Sequence, residues 1–216
     1  SFSKWNKIIA WLAFAIALVT YALTAEPTLS FWDAGEYIAT SSKLQVGHPP
    51  GAPMYQMLGA VISIFAPEPS QIAYMVNLMS GLSAAFAVLF MFWSVVLLFK
   101  KIYPNLENDD TYRQVMVLSA AFIGALSLAF SDSFWFNAVE AEVYAMASCI
   151  MSVMFYVGLL WERDMHKPRG NRWLILISFI IGLSFGVHFM GLLTIPAIGY
   201  MYYFKNTKTI TVKNFV

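Results

Sequence analysis

The chain has 216 residues, of which 59% are hydrophobic and only 12% charged, with a formal net charge of +1 and a mean hydropathy of +0.64. One soluble core of this length cannot hide so much apolar surface, which excludes an ordinary water-soluble globular domain and makes lipid the solvent. The net charge itself is uninformative, no nucleic-acid partner is expected, and the informative feature is where the few charges fall.

From the N-terminus, Lys4 and Lys7 precede an apolar run over 8–25. The run is too long for the core of a signal peptide and more such runs follow, so it reads as a retained anchor. A membrane-crossing helix needs roughly 17–25 mostly apolar residues, and further spans are expected at 73–99, 115–131, 143–161, 172–187 and 189–204. The last two meet at His188. A single helix over 172–204 would be about 50 Å long, much thicker than a bilayer core, so two spans joined by a tight turn are expected.

The expected fold is therefore an all-α polytopic membrane protein of about six transmembrane helices over 1–216. It has a first outer loop at 26–72 and a cytoplasmic tail or linker at 205–216. With the N-terminus inside, every one of the thirteen Lys and Arg residues except Lys43 falls on the cytoplasmic side, as the positive-inside rule requires. Glu26, Asp33, Glu36, Glu68, Asp132, Glu140 and Glu142 fall outside. The stretch 54–65, bracketed by Pro53 and Pro67, is too short to span and reads as an interfacial helix on the outer face. Trp5, Trp32, Trp135, Trp161 and Trp173 fit an aromatic belt. Cys149, the single cysteine, lies in an apolar run and reads as a packing residue.

Three outer stretches gather chemistry. In "FWDAGEYIATSSKLQVGHPPGAP" (31–53), Asp33 and Glu36 share one face if the segment is helical. The rigid turn at Pro49, Pro50 and Gly51 follows an extended path and pins His48 near the acids. In "SDSFWFNAVEAEVYAM" (131–146), Asn137, Glu140 and Tyr144 follow helical spacing as one polar stripe, with Glu142 pointing the other way. Embedded carboxylates are costly, which makes both glutamates functional suspects, although a wet interfacial glutamate is the plain alternative. The third is His188, in the turn between the last two spans. The sequence carries no phosphate-cradling glycine loop, paired-cysteine or HExxH metal motif, or GxSxG elbow. Asp33 and Glu36 could hold a divalent cation together with a substrate phosphate, although their spacing demands no metal.

"FWDAGEY…GHPPGAP", "FWFNAVEAEVYAM" and "GLSFGVHFMGLLTIPA" resemble, in that order, the N-terminal membrane half of a bacterial family common in Bacteroidota. That family is related to the eukaryotic protein O-mannosyltransferases that act on plexin-type receptors and, more distantly, to the wider GT-C glycosyltransferases. The resemblance implies a bacterial inner-membrane enzyme that moves a sugar, mannose by analogy, from a polyprenyl-phosphate carrier to Ser or Thr of exported proteins on the periplasmic face. It places the essential acidic residue at Asp33, the candidate base, with Glu36 as the second catalytic candidate and His48 and the Pro49-Pro50-Gly51 turn in the same loop motif. Glu142 and Tyr144 fall in the "AEVY" element and His188 in the later outer turn. Lys43, His48, Glu140, Glu142, Tyr144 and His188 are the candidates for substrate and lipid phosphate. Enzymes of that class have about eleven or more spans, so six mark this chain as part of a longer protein. The rival readings are a transporter or flippase using the same carboxylates, a non-catalytic assembly subunit, and a related enzyme with a lipid or glycan acceptor.

Overall fold

A computed structural model describes residues 1–207, so residues 208–216 of the expected tail, with Lys208 and Lys213, lie outside the described residues. Among the described residues the regular structure is entirely helical. Helix α1 (Phe2–Thr24) is followed by two short helices, α2 (Ala34–Lys43) and α3 (Pro53–Ser63). The long α4 (Ile72–Ile102) comes next, then α5 (Thr111–Ala129), the short α6 (Asp132–Ala138), α7 (Val143–Asp164), α8 (Arg172–Ser184) and α9 (Thr194–Asn206).

Helix α4 is the mast, packed against α1, α5 and α7. Small residues allow the close approach. Ala10, Ala13, Ala17 and Tyr21 are spaced as one face of α1 and are fully buried against a face of α4 that includes Ala84, Ala85 and Val88. In a bilayer, where burying apolar surface gives helices no reason to associate, such small-residue seams supply the dispersion contacts.

Among the described residues, four helical segments are long and apolar enough to cross a membrane: Phe2–Thr24, Pro69–Ile102, Thr111–Ala129 and Val143–Asp164. The fifth and sixth expected spans are shorter. Helices α8 and α9 have 13 residues each, about 20 Å of rise against a hydrocarbon core of about 30 Å. The chain nevertheless runs between the two ends of the module. Trp173 at the start of α8 donates to Asp164 at the end of α7 (3.1 Å), and Lys205 near the end of α9 pairs with Glu162 (2.9 Å). Between α8 and α9 the five-residue 3-10 turn Phe189–Leu193 adds about 10 Å at ~2 Å per residue.

Two other expectations change. Trp161 is no belt residue: it is fully buried and stacked on Tyr202. The polar stripe through Asn137, Glu140 and Tyr144 does not exist as one helix face, because the helix breaks between Ala138 and Val143. The Val139 carbonyl, which in a continuous helix would accept from Val143, accepts instead from the Glu26 N–H (2.9 Å).

The connections that carry the acids gather at one end. Asn77 of α4 donates to the carbonyls of Glu26 and Thr28, and Trp135 donates to the Thr24 hydroxyl. The N–H groups of Met54 and Tyr55, opening α3, donate to the Gly186 carbonyl after α8.

Candidate functional site

Helix α2 begins at Asp33, the N-cap by position, yet the Asp33 carboxylate makes no capping hydrogen bond. One turn on, Glu36 is fully engaged. Its Oε1 accepts the His48 backbone N–H (2.6 Å) and its Oε2 meets His48 Nδ1 (3.0 Å). This pair closes the loop. Pro49, Pro50 and Gly51 do not run extended after His48; they form a tight turn in which the Gly51 N–H donates to the His48 carbonyl (2.8 Å), with Gly51 at φ +77. At Gly47 a Cβ would lie 3.0 Å from Glu36 Oε1 and 2.9 Å from Gln56 Nε2, so a larger residue there would displace these two side-chain ends.

The hydrogen bond to Glu36 raises the His48 pKa, and the His48 N–H and imidazole lower that of Glu36. The hydrogen-bonded pair fixes the ring and turns Nε2 toward Asp33 Oδ2, 3.8 Å away. That distance is too long for a hydrogen bond. Asp33 therefore keeps both oxygens available, with its side chain 55% exposed.

The other two stretches close over this loop. Glu140 and Glu142 sit in the break between α6 and α7 and are 3% and 5% exposed. Burial raises both pKa values. For Glu142 the charges of Glu140 and Asp33 add to it, against the backbone amides of Asp33 and Val143, and its value reaches about 7. Tyr144 lies with its ring 5.2 Å from that of His188. His188 Nδ1 accepts from the Met190 N–H (3.2 Å), which leaves Nε2 to carry the proton.

Two clefts meet here, sharing Asp33, Glu142 and Tyr144. One, of about 150 Å3, is lined on its far side by His48, His188, Phe185 and Phe189. The other, of about 260 Å3, is lined by Trp32, Phe136, Asn137 and Glu140. Among the described residues, neither has a Lys or Arg in its wall. Lys43 is not part of the site, because it ends α2, about 13 Å along the axis from Ala34.

Asp33, Glu36 and His48 place one donor atom each within 4.8 Å of the others, a spacing that invites a divalent cation. The fit is incomplete. Both Glu36 oxygens are taken by His48, so only Asp33 and His48 Nε2 could ligate without breaking that pair.

Two residues of the site are not visible as such in the sequence. Tyr37 follows Asp33 by one helical turn, with its ring near His48 and against Tyr55. Burial, with the nearby carboxylate charges, pushes its hydroxyl up to about 12. The i, i+4 spacing from Asp33 is the signal that could have found it. Trp32, read as a belt residue, lines the larger cleft from a left-handed backbone (φ 61).

The family model "Protein O-mannosyl-transferase TMEM260 N-terminal domain" matches residues 33–211. The chain is 25% identical over 153 residues to the protein O-mannosyl-transferase tmem260 of Dictyostelium discoideum, a match covering 70% of this chain and 17% of that protein. It is also 25% identical over 171 residues to the TMEM260 protein of Mus musculus, covering 79% of this chain and 22% of that one. The chain thus spans about a fifth of the length of these curated relatives. No solved structure matches it.

Proposed function

The chain belongs to the TMEM260 N-terminal domain family, and on that premise we propose that it is the catalytic membrane module of a protein O-glycosyltransferase. In this reading it moves a sugar, mannose first among candidates, from a polyprenyl-phosphate carrier to a Ser or Thr hydroxyl of an exported protein. The site faces the non-cytoplasmic side, in a bacterial cell the periplasm, consistent with Lys100, Lys101 and Lys205 at the opposite end of the module.

The observation that carries the reading is Asp33: a carboxylate with no hydrogen-bonding partner among the described residues, at the wall shared by two clefts, backed by a Glu36–His48 pair that fixes its surroundings. An alcohol is a poor nucleophile at neutral pH, and a carboxylate within reach must take its proton during attack. The acceptor O–H proton goes to Asp33, the new bond forms from the acceptor oxygen to the anomeric carbon, and the bond from that carbon to the phosphate oxygen breaks. The polyprenyl phosphate leaves with the electron pair. His48, whose pKa its pairing with Glu36 raises, and the Nε2–H of His188 line the cleft that suits this phosphate. Glu36 is a positioning residue, because both its oxygens are occupied. Phe185 and Phe189, each about half exposed, offer an apolar wall to the first isoprene units, and the exposed Met57, Val61 and Ile64 side of α3 and its end continues that surface toward the lipid.

A divalent cation ligated by Asp33 and His48 Nε2 would add charge neutralisation for the phosphate, and no step above depends on it. Full-length protein supplied with polyprenyl-phosphate mannose should mannosylate a Ser/Thr peptide and leave its Ala counterpart unmodified. Failure with every lipid-linked sugar of a panel, together with carboxylate-dependent lipid or solute flux, would replace this reading by the transporter.

A further inference from the structure

We propose that the cleft between Trp32 and Asn137 is a glycosyl subsite that takes the uncharged hexose ring of a lipid-linked donor against the Trp32 indole, while the donor's phosphate occupies the histidine-lined cleft. The inference rests on the transferase reading and adds to it a division of labour between the two clefts.

The walls differ in chemistry. The Trp32 cleft contains the carboxyl groups of Asp33, Glu140 and Glu142 and, among the described residues, no cationic side chain. A phosphate there would meet carboxyl groups and no compensating cation, whereas a neutral polyol can hydrogen-bond to carboxyl oxygens. Asn137 adds an amide whose Nδ2 is tied to the Ser133 carbonyl (2.8 Å), leaving Oδ1 available as an acceptor. The histidines lie only in the other cleft. The volume, about 260 Å3, corresponds to roughly nine waters at ~30 Å3 each, the scale of one sugar ring rather than a glycan chain.

The presentation of Trp32 is the second observation. It is 85% exposed and sits at φ 61, a backbone region that a bulky L-residue rarely adopts. A tryptophan that only anchors to a lipid interface needs no such backbone. The left-handed residue lies directly before Asp33, so the turn that projects the ring also sets the direction of the carboxylate. A flat aromatic face opposite polar groups is a surface suited to the apolar face of a pyranose, as aromatic rings in binding clefts combine contact area with defined orientation. Because Asp33 and Glu142 line both clefts, a sugar in one and its phosphate in the other bring the anomeric carbon next to Asp33.

The test uses full-length protein in lipid nanodiscs and measures equilibrium binding of farnesyl phosphate alone and of farnesyl phosphate bearing mannose, glucose or N-acetylglucosamine. Trp32→Gly removes the ring and suits the left-handed backbone, and Trp32→Phe keeps an aromatic face. For the sugar that wild type prefers, Trp32→Gly is expected to weaken binding about tenfold, with farnesyl phosphate within about twofold of wild type and Trp32→Phe restoring most of the loss. Equal weakening of both probes would make Trp32 a lipid anchor and overturn the subsite. So would unchanged binding, or a wild type for which no sugar adds affinity over farnesyl phosphate. Sugar-selective binding lost with the ring, in a protein that transfers to no acceptor, would keep the subsite and remove the transferase reading. Transfer and binding that Trp32→Gly leaves unchanged would do the reverse.

Discussion

Glu142 offers a prediction in which sign and size both follow from its surroundings. It is 5% exposed, beside Glu140 and Asp33, and its pKa rises from 4.5 to about 7. A carboxyl whose folded-state pKa lies above its unfolded value holds its proton more tightly in the fold. Its ionisation therefore destabilises the fold progressively as pH rises from about 4.5 to about 7, and the full penalty is present above that window. At about 1.4 kcal/mol per unit the penalty is about 3 kcal/mol at pH 8 and below about 1 kcal/mol at pH 5. Glu142→Gln keeps the shape and removes the charge. Thermal unfolding of full-length wild type and variant in one detergent, followed by tryptophan fluorescence, should show the variant more stable at pH 8 and the gap nearly closed at pH 5. A gap independent of pH, or a wild type that is the more stable at pH 8, would refute the burial of an ionisable Glu142 in this corner.

The Glu36–His48 pair predicts a different pH window. The lowered pKa of Glu36 makes its contribution present above about 4.5 and lost as pH falls through the lowered value. The raised pKa of His48 makes its contribution full below about 6.5 and lost as pH rises through the raised value. Hydrogen exchange over 44–51 should therefore, after correction for intrinsic rates, be slowest between about pH 4.5 and 6.5, and Glu36→Gln should flatten that minimum. A chelator should leave sugar transfer within about twofold, because Glu36 is committed to His48 and only two donor atoms remain for a metal; loss restored by Mg2+ or Mn2+ would show that the pair opens to bind an ion.

The passes of α1, α4, α5 and α7 were legible because length and apolar composition alone decide them, and the meeting of His48 with the acids was legible from a stiff HPPG turn twelve residues after Glu36. What escaped the sequence were tertiary effects on backbone groups. Helical spacing joined Asn137 to Tyr144, but the Glu26 N–H takes the Val139 carbonyl and the helix breaks there, which swings both glutamates into one corner instead of opposite faces. The last two passes were expected as short spans meeting at His188. Yet α8 stops at Ser184, whose carbonyl accepts from His188 and Val187 in a closing turn, and a 3-10 segment replaces the start of the next helix. Trp32 carried no distinguishing mark, since an interfacial anchor and a cleft wall are the same residue type beside the same apolar run, and only its backbone conformation and neighbours separate them.

The most direct test of Asp33 as the base is single-turnover sugar transfer by full-length protein, wild type against Asp33→Asn, with donor binding measured on the same samples. Removing a general base is expected to slow transfer by about 10²–10⁴-fold while farnesyl phosphate mannose still binds within a few-fold of wild type. Transfer at the wild-type rate by a variant that binds donor normally would contradict the assignment and pass the role to Glu142.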